Sequence, residues 1–256
     1  MCYDDNARPP MPPDANGTSH GEDVVLTASD GNRFAAYVAL PSNPTGAQIL
    51  IYPDVRGLHQ FYKVLALRFA EVGVAAIAMD YFGRTAGLTS RAEPFDFWPH
   101  VQQLQFPTII ADAQASLAHL QSVAGTSRGT FIVGFCLGGT LTFLTGTEDT
   151  IKLNGLIGFY AGMSRKLSEE KGTLLEAASH IKYPVLGLFG GADAGIPPEQ
   201  VQEFDENLDK AGVEHTIVSY AGAPHSFFDR RSADFAEAAT DAWNRTLSFI
   251  KAHSNK

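Results

Sequence analysis

The chain has 256 residues, 45% of them hydrophobic and 18% charged, with a formal net charge of −9. Such a composition is globular and long enough to bury one substantial core, and the acidic balance, without any cluster of Lys and Arg, argues against a nucleic-acid partner. No run reaches the roughly eighteen apolar residues that a spanning helix requires, so no membrane partner is expected.

The first residues, Met1-Cys2-Tyr3-Asp4-Asp5, are acidic where a secretory leader would be basic, and no apolar stretch follows. A cytoplasmic protein is the expectation. Residues 1–20 carry Pro9, Pro10, Pro12 and Pro13 and no hydrophobic period, which predicts an extended surface tail ahead of a single domain over 21–256. Short β-branched and apolar runs at 24–27 and 34–40 flank Ser29-Asp30-Gly31-Asn32, the pattern of an antiparallel hairpin.

From Ala47 the texture changes to near-continuous apolar runs, as parallel strands buried on both faces require. They predict strands at 48–52, 75–79, 129–135, 155–160, 185–189 and 214–220. Apolar residues three and four apart predict helices at about 60–73, 107–123, 138–147, 198–211 and 232–252. The alternation implies an α/β class, a mostly parallel doubly wound sheet preceded by the antiparallel hairpin. Ligands in open sheets of this kind bind at the carboxyl ends of the strands, which directs attention to the residues just past each one.

One of these strand ends reads Gly134-Phe135-Cys136-Leu137-Gly138-Gly139, a strand running into Gly-x-Cys-x-Gly and then a helix. This is a nucleophile elbow with cysteine in place of serine, a turn so tight that its flanking positions must be glycine. A lone cysteine is more often a small buried hydrophobe, and the elbow glycines are what favour the functional alternative here. A thiol at a helix N-terminus is also helped towards its thiolate by the helix dipole. The Leu137 amide would face a developing oxyanion, with the Val55 amide as the second donor.

The hydrolase order of nucleophile, acid and base then calls for a carboxylate and a histidine downstream. Asp193 in Gly190-Gly191-Ala192-Asp193 and His225 in Gly222-Ala223-Pro224-His225 meet that order, each past its own strand. Asp after Gly is also ordinary turn chemistry, and a lone histidine is commonly a packing residue, so the weight rests on the three together. Phe82, Phe95, Phe97, Trp98 and Phe106 crowd one connection and suggest a pocket wall or lid, some of it core.

These motifs, with Ile51-Tyr52-Pro53-Asp54-Val55-Arg56-Gly57, Asp80-Tyr81-Phe82-Gly83-Arg84 and Ala223-Pro224-His225-Ser226-Phe227, resemble the dienelactone hydrolase (carboxymethylenebutenolidase) family from about Val24 to the end. The resemblance implies an α/β-hydrolase fold and hydrolysis of a small-molecule ester or enol-lactone through an acyl-cysteine. Its triad would be Cys136, Asp193 and His225, with no cofactor and no metal. It further implies that Asp54, standing where the family has Glu, activates the thiol, and that Arg84 and Ser226 bind substrate. A second family arginine, four residues past the histidine, is here Asp229, with Arg230 one step later. That departure keeps a general carboxylesterase or thioesterase open as an alternative, and a non-catalytic ligand-binding protein as a further one. A monomer or weak homo-oligomer is expected.

Overall fold

Strands and helices follow the hydrophobic pattern closely in the computed structural model, which describes residues 6–92, 94–125, 129–167 and 171–254. Residues 1–5, with Cys2, fall outside the described part. In chain order the strands are β1 (Ser19–Thr27), β2 (Arg33–Pro41), β3 (Ala47–Tyr52), β4 (Ala75–Met79), β5 (Gly129–Phe135), β6 (Gly155–Phe159), β7 (Val185–Gly190) and β8 (His215–Tyr220). The helices are α1 (Gln60–Glu71), α2 (Gly83–Ala86), α3 (Trp98–Val101), α4 (Phe106–Ala124), α5 (Leu137–Thr145), α6 (Leu174–Ala177), α7 (Pro198–Ala211) and α8 (Ala236–His253). The one-turn helices α2, α3 and α6 have no sequence counterpart, because four residues are too short to show a 3.6-residue period.

The eight strands form one sheet in the order β1-β2-β4-β3-β5-β6-β7-β8. β1 runs antiparallel to β2, and β2 antiparallel to β4; every other pairing is parallel. The hairpin turn is closed by the Ala28 amide on Asn32 O at 2.8 Å, with Gly31 at φ 86, a left-handed value that suits glycine. Ser19 and His20, expected in the tail, already belong to β1. The tail before them is tied down from the other end of the chain, since Trp243 Nε1 donates to Pro10 O at 3.1 Å.

Side-chain alternation along β5 assigns the covering helices to faces. Phe131 meets Phe249 of α8 at 6.2 Å between ring centroids, while a Cβ on Gly134, three residues on, would collide with Gly138 and Thr142 of α5. The sheet therefore lies between α8 and α5. α1 shares the α8 face through Phe69 against Trp243 at 4.9 Å, and Phe143 of α5 meets Phe204 of α7 at 5.2 Å on the other. α1 buries Phe61, Tyr62, Leu65, Ala66, Phe69 and Ala70. Each large side chain of such a stripe contributes about 1.5–3 kcal/mol of burial. Among the described residues no helix is long and apolar enough to cross a membrane.

Candidate active site

Cys136, Asp193 and His225 each lie just past the carboxyl end of a strand, β5, β7 and β8 respectively. At the end of β5, Cys136 takes φ 56 and ψ −115, a conformation that costs a non-glycine residue of the order of 1–3 kcal/mol. Its amide is anchored to Phe159 O at 3.0 Å, and its side chain is half-buried rather than sealed in the core. The strain is held by packing. A Cβ on Gly138 would stand 2.2 Å from both Pro53 O and Tyr52 O, so the end of β3 backs directly onto the elbow.

That approach brings the 53–56 loop to the nucleophile. Val55 and Leu137 are both buried, and Leu137 opens α5, where first-turn amides have no acceptor inside the helix. Asp54 is fully buried; its Oδ1 accepts the Arg56 amide at 2.9 Å and its own amide points at the Tyr62 hydroxyl at 3.0 Å. Tyr81, past β4, donates its hydroxyl to Pro53 O at 2.6 Å and also to Asp54 O, which braces the loop from the far side.

His225 Nδ1 and Asp193 Oδ2 are 2.6 Å apart, with the Asp193 side chain 2% exposed and that of His225 33% exposed. The other Asp193 oxygen accepts the Gly195 amide at 2.8 Å, so the carboxylate is oriented from both ends. The two loops are stitched together by Gly191 N to Tyr220 O at 2.8 Å and Ala192 N to Ala223 O at 2.9 Å. Gly190 permits this, because a Cβ there would lie 2.5 Å from Ala223 O. The imidazole thus has Nδ1 engaged by a buried acid while part of its surface remains exposed.

Two expected substrate residues are placed elsewhere. Arg84 lies in a clamp: Nη1 donates to Asp30 Oδ2 at 2.6 Å, Nη2 to Asp112 Oδ1 at 2.8 Å, Nε to Asp112 Oδ2 at 3.2 Å, and Nη2 also to Thr108 O at 3.3 Å. It joins the hairpin turn to α4 instead of serving as a free carboxylate anchor. Burial pushes the Asp112 carboxyl up in spite of Arg84, so Asp112 depends on this partner. Arg84→Ala is expected to lower stability by on the order of 2 kcal/mol in thermal melts, because it leaves that acid with only the Asn32 side-chain amide at 3.2 Å. The ratio of kcat/KM for carboxylated and neutral esters should stay at the wild-type value; a selective loss on the carboxylated ester would restore the anchor role.

Ser226 is likewise buried, at φ 63, and its backbone carbonyl accepts the Asp229 amide at 3.2 Å. Arg230 is exposed. Of the aromatic stretch, Phe82 and Phe106 are core, Phe95 stacks on His100 at 5.2 Å, and Trp98 is 53% exposed. Arg91 fixes the base of that stretch through a buried ion pair with Asp80 at 2.6 Å. Tyr160, expected as the last residue of a strand at 155–160, instead lies directly past β6. It takes φ 38, and its ring centroid is 4.8 Å from that of His225. Among the described residues no group of three or more His, Cys, Asp or Glu is arranged to hold a metal ion.

A profile of the dienelactone hydrolase family matches residues 34–254. The chain is 30% identical over 255 residues to a Methylorubrum extorquens protein provisionally named carboxymethylenebutenolidase, across 93% of this chain and 82% of that one. It is 26% identical over 238 residues to a Bradyrhizobium protein provisionally named 2-oxo-3-(5-oxofuran-2-ylidene)propanoate lactonase, across 90% and 94% of the two. Among solved structures, one from Klebsiella pneumoniae, provisionally named a dienelactone hydrolase, superposes with a TM-score of 0.78 at 26% identity over 91% of this chain and 99% of that one.

Proposed function

Because the chain belongs to the dienelactone hydrolase family of hydrolases, we propose that it cleaves a small ester or enol-lactone through an acyl-enzyme on Cys136, with His225 as acid and base and Asp193 as its orienting acid. The observation that carries this reading is the 2.6 Å contact of His225 Nδ1 with a buried Asp193, at the same sheet edge as a cysteine in a strained elbow.

In this mechanism Nε2 of His225 accepts the thiol proton and the thiolate adds to the acyl carbon. The oxyanion that develops is met by the Leu137 and Val55 amides, both fixed before substrate arrives, so no reorganisation is needed as charge builds. Collapse of the adduct expels the alkoxide or enolate, to which His225 returns the proton. Water, deprotonated by the same imidazole, then releases the acid and regenerates the thiol. Asp193 accepts the Nδ1 hydrogen and so holds that tautomer of the imidazole. Asp54, buried in the loop that backs onto the elbow, is assigned to assist the thiol.

A neutral carboxylic ester or thioester is the second reading, favoured by one observation: Arg84 is committed to Asp30 and Asp112. A cytoplasmic setting suits a reactive thiol, which an oxidising compartment would threaten. Iodoacetamide tests the central claim. Alkylation is expected on Cys136 with parallel loss of aryl-ester turnover, and full turnover after complete modification of that thiol would end the proposal.

A further inference from the structure

Asp229 is 1% exposed, yet it is a hub of hydrogen bonds. Its Oδ2 is 3.0 Å from the Tyr160 hydroxyl, and its Oδ1 receives the Arg230 amide. Backbone bonds from Asp229 N and Arg231 N, both to Ser226 O at 3.2 and 3.3 Å, wind the same residues into a tight turn immediately after His225. Tyr160 completes a closed chain of contacts: hydroxyl on Asp229, ring against His225, backbone in the left-handed region at φ 38. A strained tyrosine so fully determined at both ends is a feature that packing alone does not call for.

We propose that Asp229 is a positioning residue of this hydrolase: through the Tyr160 hydroxyl and the Ser226 turn it sets where the His225 imidazole stands. The proposal rests on the assignment of His225 as the acid and base of the reaction. Electrostatics agree with the geometry. Burial raises the Asp229 carboxyl to about 8, and the neighbouring Asp54 carboxyl adds to the rise. Asp229 is therefore neutral at pH 7 and places no second negative charge beside Asp54. The groups that face it are Asp54 from the loop after β3, Tyr160 from the end of β6, and Ser226 and Arg230 on its own loop; His225 is reached through the Tyr160 ring.

Three variants test this: Tyr160→Phe keeps the ring and deletes the hydroxyl, Asp229→Ala removes the hub, and Asp229→Asn keeps a neutral hydrogen-bonding side chain. With p-nitrophenyl acetate as the probe, Tyr160→Phe and Asp229→Ala are expected to lose roughly 10-fold or more in kcat with little change in KM, since a displaced base slows chemistry more than binding. Asp229→Asn should restore most of the turnover at pH 7, and wild type should fall below it as pH rises past about 8 and Asp229 ionises beside Asp54. The low-field proton resonance of the His225 Nδ1–H shared with Asp193 reads the imidazole without any substrate. It should shift or broaden in Tyr160→Phe and Asp229→Ala and persist in Asp229→Asn. An unchanged resonance in both of the first two variants, or losses of kcat that merely follow the melting temperature, would overturn the proposal. Wild type without ester turnover would instead remove the hydrolase assignment, and the resonance would still report on the position of His225.

Discussion

Cys136→Ala is expected to cut ester turnover by about 10⁴-fold or more, since loss of the nucleophile leaves only what the oxyanion donors and binding supply. The same substitution should leave the melting temperature within a few degrees of wild type. The side chain is half-buried and small, and alanine meets the same φ of 56 with the same Cβ. Activity and stability thus separate at this position, which they would not do if the cysteine were a packing residue. Steady-state kinetics on an aryl ester beside a thermal melt of the same preparation makes the check. Residual turnover near wild type would mean that the acyl group is carried elsewhere.

The second large effect concerns stability and lies two residues further on. Gly138→Ala would place a methyl 2.2 Å from Pro53 O and Tyr52 O, where neither neighbour is a side chain that can swing aside. The elbow and the β3 loop must separate, at an expected cost of about 3 kcal/mol. For a chain of this size that is a fall of roughly 6–12 °C in melting temperature. Turnover per folded molecule should drop as well, because the displaced loop carries Val55 and Asp54. Gly162→Ala is the control, since its Cβ would meet only the Thr140 hydroxyl at 3.7 Å. A Gly138→Ala protein that melts with wild type would show that β3 does not press on the elbow.

Buried parallel strands announce themselves locally, and for that reason β3 to β7 were legible to within a residue or two; the edge strand β8, only partly buried, was legible from its alternation instead. β5 is apolar at nearly every position because helices cover it on both faces. The elbow was legible for a related reason: Gly134 and Gly138 are imposed by backbone contact within a few residues of Cys136 and by one neighbouring strand. Chain order then pointed to Asp193 and His225 as partners. The short helix α2 and the role of Arg84 were not legible in the same way. The acceptors of Arg84 lie 54 residues before it and 28 after it, and no local pattern marks an arginine as already engaged.

What the amino-acid order determined by itself was the α/β class, the sheet's strands and the tight turn at Cys136, all consequences of short-range sterics and hydrophobic periodicity. What only tertiary structure decided was how polar side chains are spent. Folding drew Arg84 into a clamp with Asp30 and Asp112, turned Ser226 inward, and brought Asp229 beneath Tyr160 and near Asp54. The physical reason is that desolvation obliges a buried charge or hydroxyl to find a partner, and that partner is chosen by the three-dimensional neighbourhood rather than by position along the chain.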